Sequence, residues 1–269
     1  MKTLSTPATV LALFLGLQSA VAQIADDVAR VEVLQGWRGD DGVHQGALSI
    51  QLAPGWKTYW RAAGEGGIPP QFDWSGSANL EGFEVHFPVP DVFDQNGMRS
   101  YGYEDRVVLP FRATPQNRGQ DIALSGRIEI GVCLDICVPV QLDVAELLPR
   151  TAAEGADIIR AALADRPLTA EEAGIDDMTC RIDPISDGLR VSAEVTGAGM
   201  GSMLAAVMEL PDRRIWISEA SLQTEGDMLV ATAEMVPPEA APFFLARDTL
   251  RVTFLGAAQA VEVVGCSGS

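Results

Sequence analysis

The chain has 269 residues, 47% of them hydrophobic and 21% charged, with a formal net charge of −18. That length accommodates one large or two ordinary domains with packed cores. The acidic balance argues against a basic face for nucleic acid or for an anionic membrane, which leaves proteins and small molecules as partners.

The first residues, MKTLSTPATVLALFLGLQSAVAQ, carry Lys2, an apolar run from Val10 to Leu17 and the small-x-small sequence Ala20-Val21-Ala22. This is the pattern of a cleavable secretory signal over residues 1–22, with the mature chain starting at Gln23. No cysteine follows the cut, which argues against a lipid anchor. No later stretch approaches the ~20 uninterrupted apolar residues of a membrane helix, so a soluble mature protein is expected.

From Val31 to about Pro149, short apolar runs (GALSIQLAP, RVVLPFRA, IALSGRIEIGV, VPVQLDV) are separated by Gly, Pro and Asp. Leu48, Ile50 and Leu52, or Ile128, Ile130 and Val132, recur at every second position, the mark of half-buried strands. The spacing predicts an all-β sandwich as a first domain over 23–150. The Ala-rich segment 151–175, without aromatics and interrupted at Pro167, reads as a connector of one or two short helices. Over 176–269 the runs GLRVSAEV, AAVMEL, RIWISEASLQ, MLVATAEMV, LRVTFLG and AVEVVGC, with turn residues between them, predict a second β sandwich.

All four cysteines, Cys133, Cys137, Cys180 and Cys266, lie in the exported part, an oxidising setting in which two pairs are expected. Cys133 and Cys137 sit at the end of one strand-like run and the start of the next. A hairpin with the three-residue loop Leu134-Asp135-Ile136 would set them opposite each other, at a Cα separation of ~4.5–5.5 Å that a disulfide can bridge. A ring so small restricts few unfolded conformations and makes a poor staple. Spacing alone leaves three readings open: a redox-active pair, a structural bridge and a soft-metal site. Cys180 and Cys266 bracket the second block, and a bridge closing about 87 residues is a staple of roughly 4.6 kcal/mol in the chain-entropy model.

Isolated His44 and His86 have no second ligand at metal spacing and read as surface or core histidines. Met98, Met200, Met203 and Met208 offer soft sulfur that could bind Cu(I) with a thiolate, yet scattered Met usually fills space. No resident metal or cofactor is expected. The GEGG run at 64–67 leads into Ile-Pro-Pro rather than a helix, so it is no dinucleotide loop, and no hydrolase motif is present.

Three stretches, PGWKTYWRAAGEGGIPPQFDWSGSANL (54–80), MRSYGYEDRVVLPF (98–111) and GRIEIGVCLDICVPVQLDV (126–144), resemble the N-terminal periplasmic domain of the thiol-disulfide interchange reductase DsbD and its relatives, including the ScsB type. The resemblance implies an immunoglobulin-like sandwich in the periplasm that exchanges electrons with thioredoxin-fold proteins and a membrane thiol reductase. It also implies that Cys137 forms the mixed disulfide with a partner and Cys133 resolves it. A cap loop over the disulfide would fall between Asp94 and Tyr103, with Tyr101 as lid and Tyr103 beside it. Tyr59 and Trp60 are further candidate neighbours, and Asp135 is a candidate proton-handling residue or a plain turn residue. Two departures stand out: the best-known members have a longer gap between the cysteines, and the chain is expected to act without a membrane conduit or thioredoxin-like domain of its own. Some relatives are linked to copper tolerance. A non-catalytic interaction module with two structural disulfides is the contrasting reading.

Overall fold

The computed structural model describes residues 28–268, apart from 96, 152–153, 198–199, 201 and 258. The signal expected over residues 1–22 lies outside the described residues, as does Asn96 within the expected cap.

Alternating apolar residues form ten strands in the first block: β1 (Ala29–Arg38), β2 (His44–Leu52), β3 (Lys57–Gly64), β4 (Gln71–Asp73), β5 (Gly82–Val85), β6 (Asp91–Gln95), β7 (Met98–Glu104), β8 (Arg106–Thr114), β9 (Ile122–Cys133) and β10 (Cys137–Leu148). One sheet runs β1-β2-β8-β5; the other runs β10-β9-β3-β7-β6, with β4 also paired to β9. Their facing sides close over Leu48, Ile50, Trp60, Phe111, Leu124 and Ile128, each at most 1% exposed. This is an immunoglobulin-like sandwich.

The Ala-rich segment holds one helix among its described residues, α1 (Ala156–Ala164), ending before Pro167, whose missing N–H and ring do not fit a helix interior. α1 packs on β1, β2 and β8, with Ile159 fully buried. Immediately after Pro167 the chain changes allegiance: β11 (Leu168–Thr169) pairs in parallel with β19 (Ala260–Val264). The expected helical connector is therefore helix on one side of Pro167 and strand on the other.

The second block adds β12 (Met178–Pro184), β13 (Leu189–Thr196), β14 (Met203–Glu209), β15 (Trp216–Ile217), β16 (Ser221–Glu225), β17 (Met228–Val236), β18 (Arg251–Gly256) and β20 (Ser267–Gly268). Its sheets run β11-β19-β18-β14 and β15-β17-β13-β12-β20, with β16 also on β17. The run RIWISEASLQ is split between β15 and β16 rather than forming one strand. Cys180 lies inside β12, not ahead of the block's first strand.

The sheet β11-β19-β18-β14 is a shared layer. On β14, Ala205 and Val207 belong to the core of the first block while Ala206 and Met208 belong to the core of the second. A strand buried on both faces has no polar face to alternate with, which is why AAVM reads as a continuous apolar run. Leu255 of β18 and Ala260 of β19 also join the first core. The two blocks thus pack through a common sheet.

Candidate functional site

β9 and β10 pair in antiparallel register from Cys133↔Cys137 to Ile122↔Leu148, so the two cysteines face each other at the turn end of the hairpin. They form a disulfide with Cα atoms 4.1 Å apart. The pair is asymmetric. Cys133 is 3% exposed, whereas Cys137 and the loop residues Leu134, Asp135 and Ile136 are exposed. Ile136 reaches 75% exposure, an apolar side chain held in solvent beside the open sulfur.

β3 lies beside β9, with Lys57 opposite Cys133 and Thr58 opposite Val132, and the Thr58 hydroxyl donates to the Gly131 carbonyl at 2.9 Å. The next residue, Tyr59, turns to the other face and places its hydroxyl 2.6 Å from Cys133 Sγ and 3.1 Å from Cys137 Sγ. A disulfide sulfur has no proton, so in this state the phenol can only be the donor. The same hydroxyl lies 3.3 Å from the Gly66 carbonyl. Burial raises the Tyr59 pKa above 10, so the phenol keeps its proton at neutral pH.

Two glycines make the slot for this ring. A Cβ on Gly67 would lie 2.7 Å from Tyr59 Cδ1, and one on Gly131 would lie 3.2 Å from the ring and 2.6 Å from Ile68 Cβ. The GEGG loop therefore covers Tyr59 and, through it, the buried sulfur. Tyr59, Ala63 and Cys133 form a small apolar cluster of their own.

The other candidates lie elsewhere. Trp60, one residue on, is fully buried in the sandwich core. Tyr101, on β7, is 3% exposed and lines a cleft of about 440 Å³ between the two blocks; burial first, then Glu219, pushes its pKa up to about 12. Tyr103 is buried and donates to the Pro88 carbonyl at 2.8 Å. Tyr59 is thus the aromatic hydroxyl bonded to sulfur, while the segment expected to cap the site forms the β6–β7 hairpin, whose Met98 would lie 3.6 Å from a Cβ added on Gly66. Asp135 sits at the exposed tip of the loop.

The second disulfide joins fully buried Cys180 on β12 to half-buried Cys266 just before β20. Among the described residues, no group of three or more His, Cys, Asp or Glu side chains is placed to hold a metal ion. Met200 and Met208 are core residues of the second block, Met203 packs against that core, and Met98 lies apart in the first.

Sequence reasoning passed over Arg61. On β3, two residues after Tyr59, its guanidinium meets Glu209 at 2.9 Å and Glu262 at 2.6 Å from the shared sheet, and lies 4.0 Å over the Trp60 ring. Burial opposes this charge, but the two carboxylates outweigh it and raise the Arg61 pKa. The strand carrying the sulfur's hydrogen-bond donor is thereby anchored to the second block. Glu209 and Glu262 break otherwise apolar runs, the one signal of this contact in the sequence.

Residues 25–149 match the family described as thiol:disulfide interchange protein DsbD, N-terminal. The chain is similar in structure to the N-terminal periplasmic domain of ScsB from Proteus mirabilis, with a TM-score of 0.67 and 24% identity over 90% of this chain and 94% of that one. This second likeness concerns the fold. A chimeric titin Z1Z2 carrying a decorin peptide aligns over 90% of this chain and 98% of that one, at 12% identity and a TM-score of only 0.16. No curated protein matches the chain. Among the described residues, no helix is long and apolar enough to cross a membrane.

Proposed function

Since residues 25–149 belong to the DsbD N-terminal domain family, whose role is thiol-disulfide exchange, we propose that this chain is a periplasmic relay. It passes electrons between a membrane thiol reductase and thioredoxin-fold proteins through Cys133 and Cys137. The observation that carries the reading is the asymmetry of the pair: Cys137 is open to solvent, while Cys133 is buried under a phenol hydroxyl 2.6 Å away.

The chemistry follows from that asymmetry. A thiolate of the partner attacks Cys137 Sγ, the sulfur it can reach. A partner–Cys137 disulfide forms, the Cys133–Cys137 bond breaks, and the electron pair goes to Cys133 Sγ. Tyr59, protonated and within hydrogen-bond distance, donates to the Cys133 thiolate and makes it a better leaving group. A second thiol of the partner then attacks the partner's own sulfur in the mixed disulfide and releases Cys137. Two electrons and two protons have moved from the partner dithiol to the cysteine pair. Run backwards, the same steps reduce a partner disulfide. Asp135, on the exposed loop beside Cys137, has the place of a turn residue.

Graded reduction tests the reading. Dithiothreitol or glutathione should open Cys133–Cys137 at levels that leave Cys180–Cys266 closed, and Cys133→Ala should accumulate mixed disulfides at Cys137. Two bonds equally resistant to reductant would refute the relay in favour of a purely structural pair.

A further inference from the structure

Apolar side chains in solvent are not spread evenly over this molecule. Of the ten large apolar residues exposed among the described residues, four flank the exchange site: Ile68, Met98, Leu134 and Ile136. Two more, Leu204 and Trp216, are 51% and 55% exposed and belong to the second block. Contacts join the two sets. Met98 stands beside Gly66, where an added Cβ would lie 3.6 Å from Met98 Cβ, and the Gly66 carbonyl faces the Tyr59 hydroxyl at the disulfide. Arg99, the next residue, reaches the Leu204 carbonyl at 3.4 Å and Glu219 at 3.1 Å. Ala63, clustered with Tyr59 and Cys133, lines the interblock cleft whose far wall includes Trp216. The apolar residues around Cys137 are therefore joined across the junction, through the Arg99 contacts and the shared cleft, to those of β14 and β15.

We propose that the exchange partner docks on both blocks at once, with Leu204 and Trp216 completing the apolar face that seats it. This rests on the exchange reading above and adds a role for the second sandwich. The occupant is a folded thioredoxin-fold protein that presents its reactive cysteine from an apolar surface. Continuity with the exchange site favours such an occupant: its cysteine must reach Cys137, and a folded body centred there extends beyond the three-residue loop. Of the two, Trp216 is the residue type in which binding energy concentrates once an interface buries it, and Leu204 adds apolar area beside it. The bidentate contact of Arg61 with Glu209, reinforced by Glu262, fixes the second block so that its half of the face is already in place. A small thiol needs only Cys137 and does not sense this half.

The test uses the full oxidised chain, with dithiothreitol and reduced thioredoxin as separate probes. In Leu204→Glu and Trp216→Ala, the ratio of the thioredoxin rate to the dithiothreitol rate is expected to fall at least about tenfold, the size of a modest hot spot. An unchanged ratio overturns the proposal and leaves the exchange chemistry standing. An unsubstituted chain opened by neither probe removes that chemistry, and the proposal with it. For a variant that fails to fold, the mixed disulfide of Cys133→Ala with thioredoxin lacking its second cysteine decides. Slowed hydrogen exchange across 203–209 and 215–219 upholds the two-block footprint, and protection confined to the first block overturns it.

Discussion

The Tyr59 hydroxyl lies 2.6 Å from Cys133 Sγ, the more buried of the two sulfurs in the hairpin disulfide. A hydrogen bond to a charged group contributes ~1.5–3 kcal/mol. Tyr59→Phe should therefore destabilise the reduced form, in which Cys133 is a thiolate or thiol accepting that bond, and shift the reduction potential to more negative values by roughly 30–60 mV. Equilibration with a glutathione redox buffer measures it. No shift would mean that the phenol only fills space.

Unequal exposure should be visible by alkylation. In reduced Cys133→Ser, Cys137 is expected to react with a bulky maleimide at least ~100-fold faster than Cys133 does in reduced Cys137→Ser, because the latter must wait for local opening. Equal rates would contradict the asymmetry on which the order of attack depends.

The two disulfides should differ as staples. Removing Cys180–Cys266, a bridge of sequence separation 86, should cost roughly 4.6 kcal/mol, whereas removing Cys133–Cys137 should cost about 2 kcal/mol by the same chain-entropy relation. Urea unfolding of the two double Cys→Ala variants measures both.

Arg61→Ala should lower stability by about 3 kcal/mol, since it leaves partly buried Glu209 without its cation and Glu262 with only the more distant Arg251 at 3.8 Å. The first and second blocks should then begin to unfold in separate steps, seen as a broadened or doubled thermal transition. A single transition at the original temperature would show that apolar contacts alone hold the shared sheet in place.

Acid should weaken the fold before the carboxylates titrate. Burial is the largest cause that lowers the pKa of His44 and of His86 below 6.5. His44 Nε2 bonds the Gln35 carbonyl, and His86 Nε2 is buried without a partner among the described residues. A depressed histidine pKa means that the unfolded chain takes up protons first, so stability is full above 6.5 and falls as pH drops below it. Glu172 and Asp212, held down to about 2 by Arg166 and Arg214, add their losses only at lower pH. The thermal midpoint should drop as pH falls from about 6.5 to about 5, and His86→Phe should flatten that drop.

Much of the fold could be read from alternation. Leu48, Ile50 and Leu52 mark β2, and the runs on either side of Cys133 and Cys137 mark the hairpin in its true register, because a period of two fixes which face each residue takes. The shared sheet was harder to read: AAVM is apolar throughout, and a strand buried on both sides carries no sign of what lies on each. Arg61 looked like an ordinary strand residue because its partners sit 148 and 201 positions away. At the site, the sulfurs announced themselves by spacing. Gly67 and Gly131 did not, since their importance lies in the volume they leave for the Tyr59 ring, and a glycine's absent side chain looks the same in a turn as beside a packed aromatic.

The hairpin that carries the sulfurs is zipped along all twelve residues of each strand, and the bond sits at its very end. Eleven of those twelve pairs do not involve the sulfurs, so opening the bond is expected to leave the ladder in place and the contour offered to a visitor nearly unchanged. A partner would then not be accepted or dismissed by shape. Under the proposed relay, its leaving would be decided by the sulfurs themselves, through the charge that appears on Cys133 and the phenol that receives it, which would make Tyr59 the place where the direction of traffic is tuned.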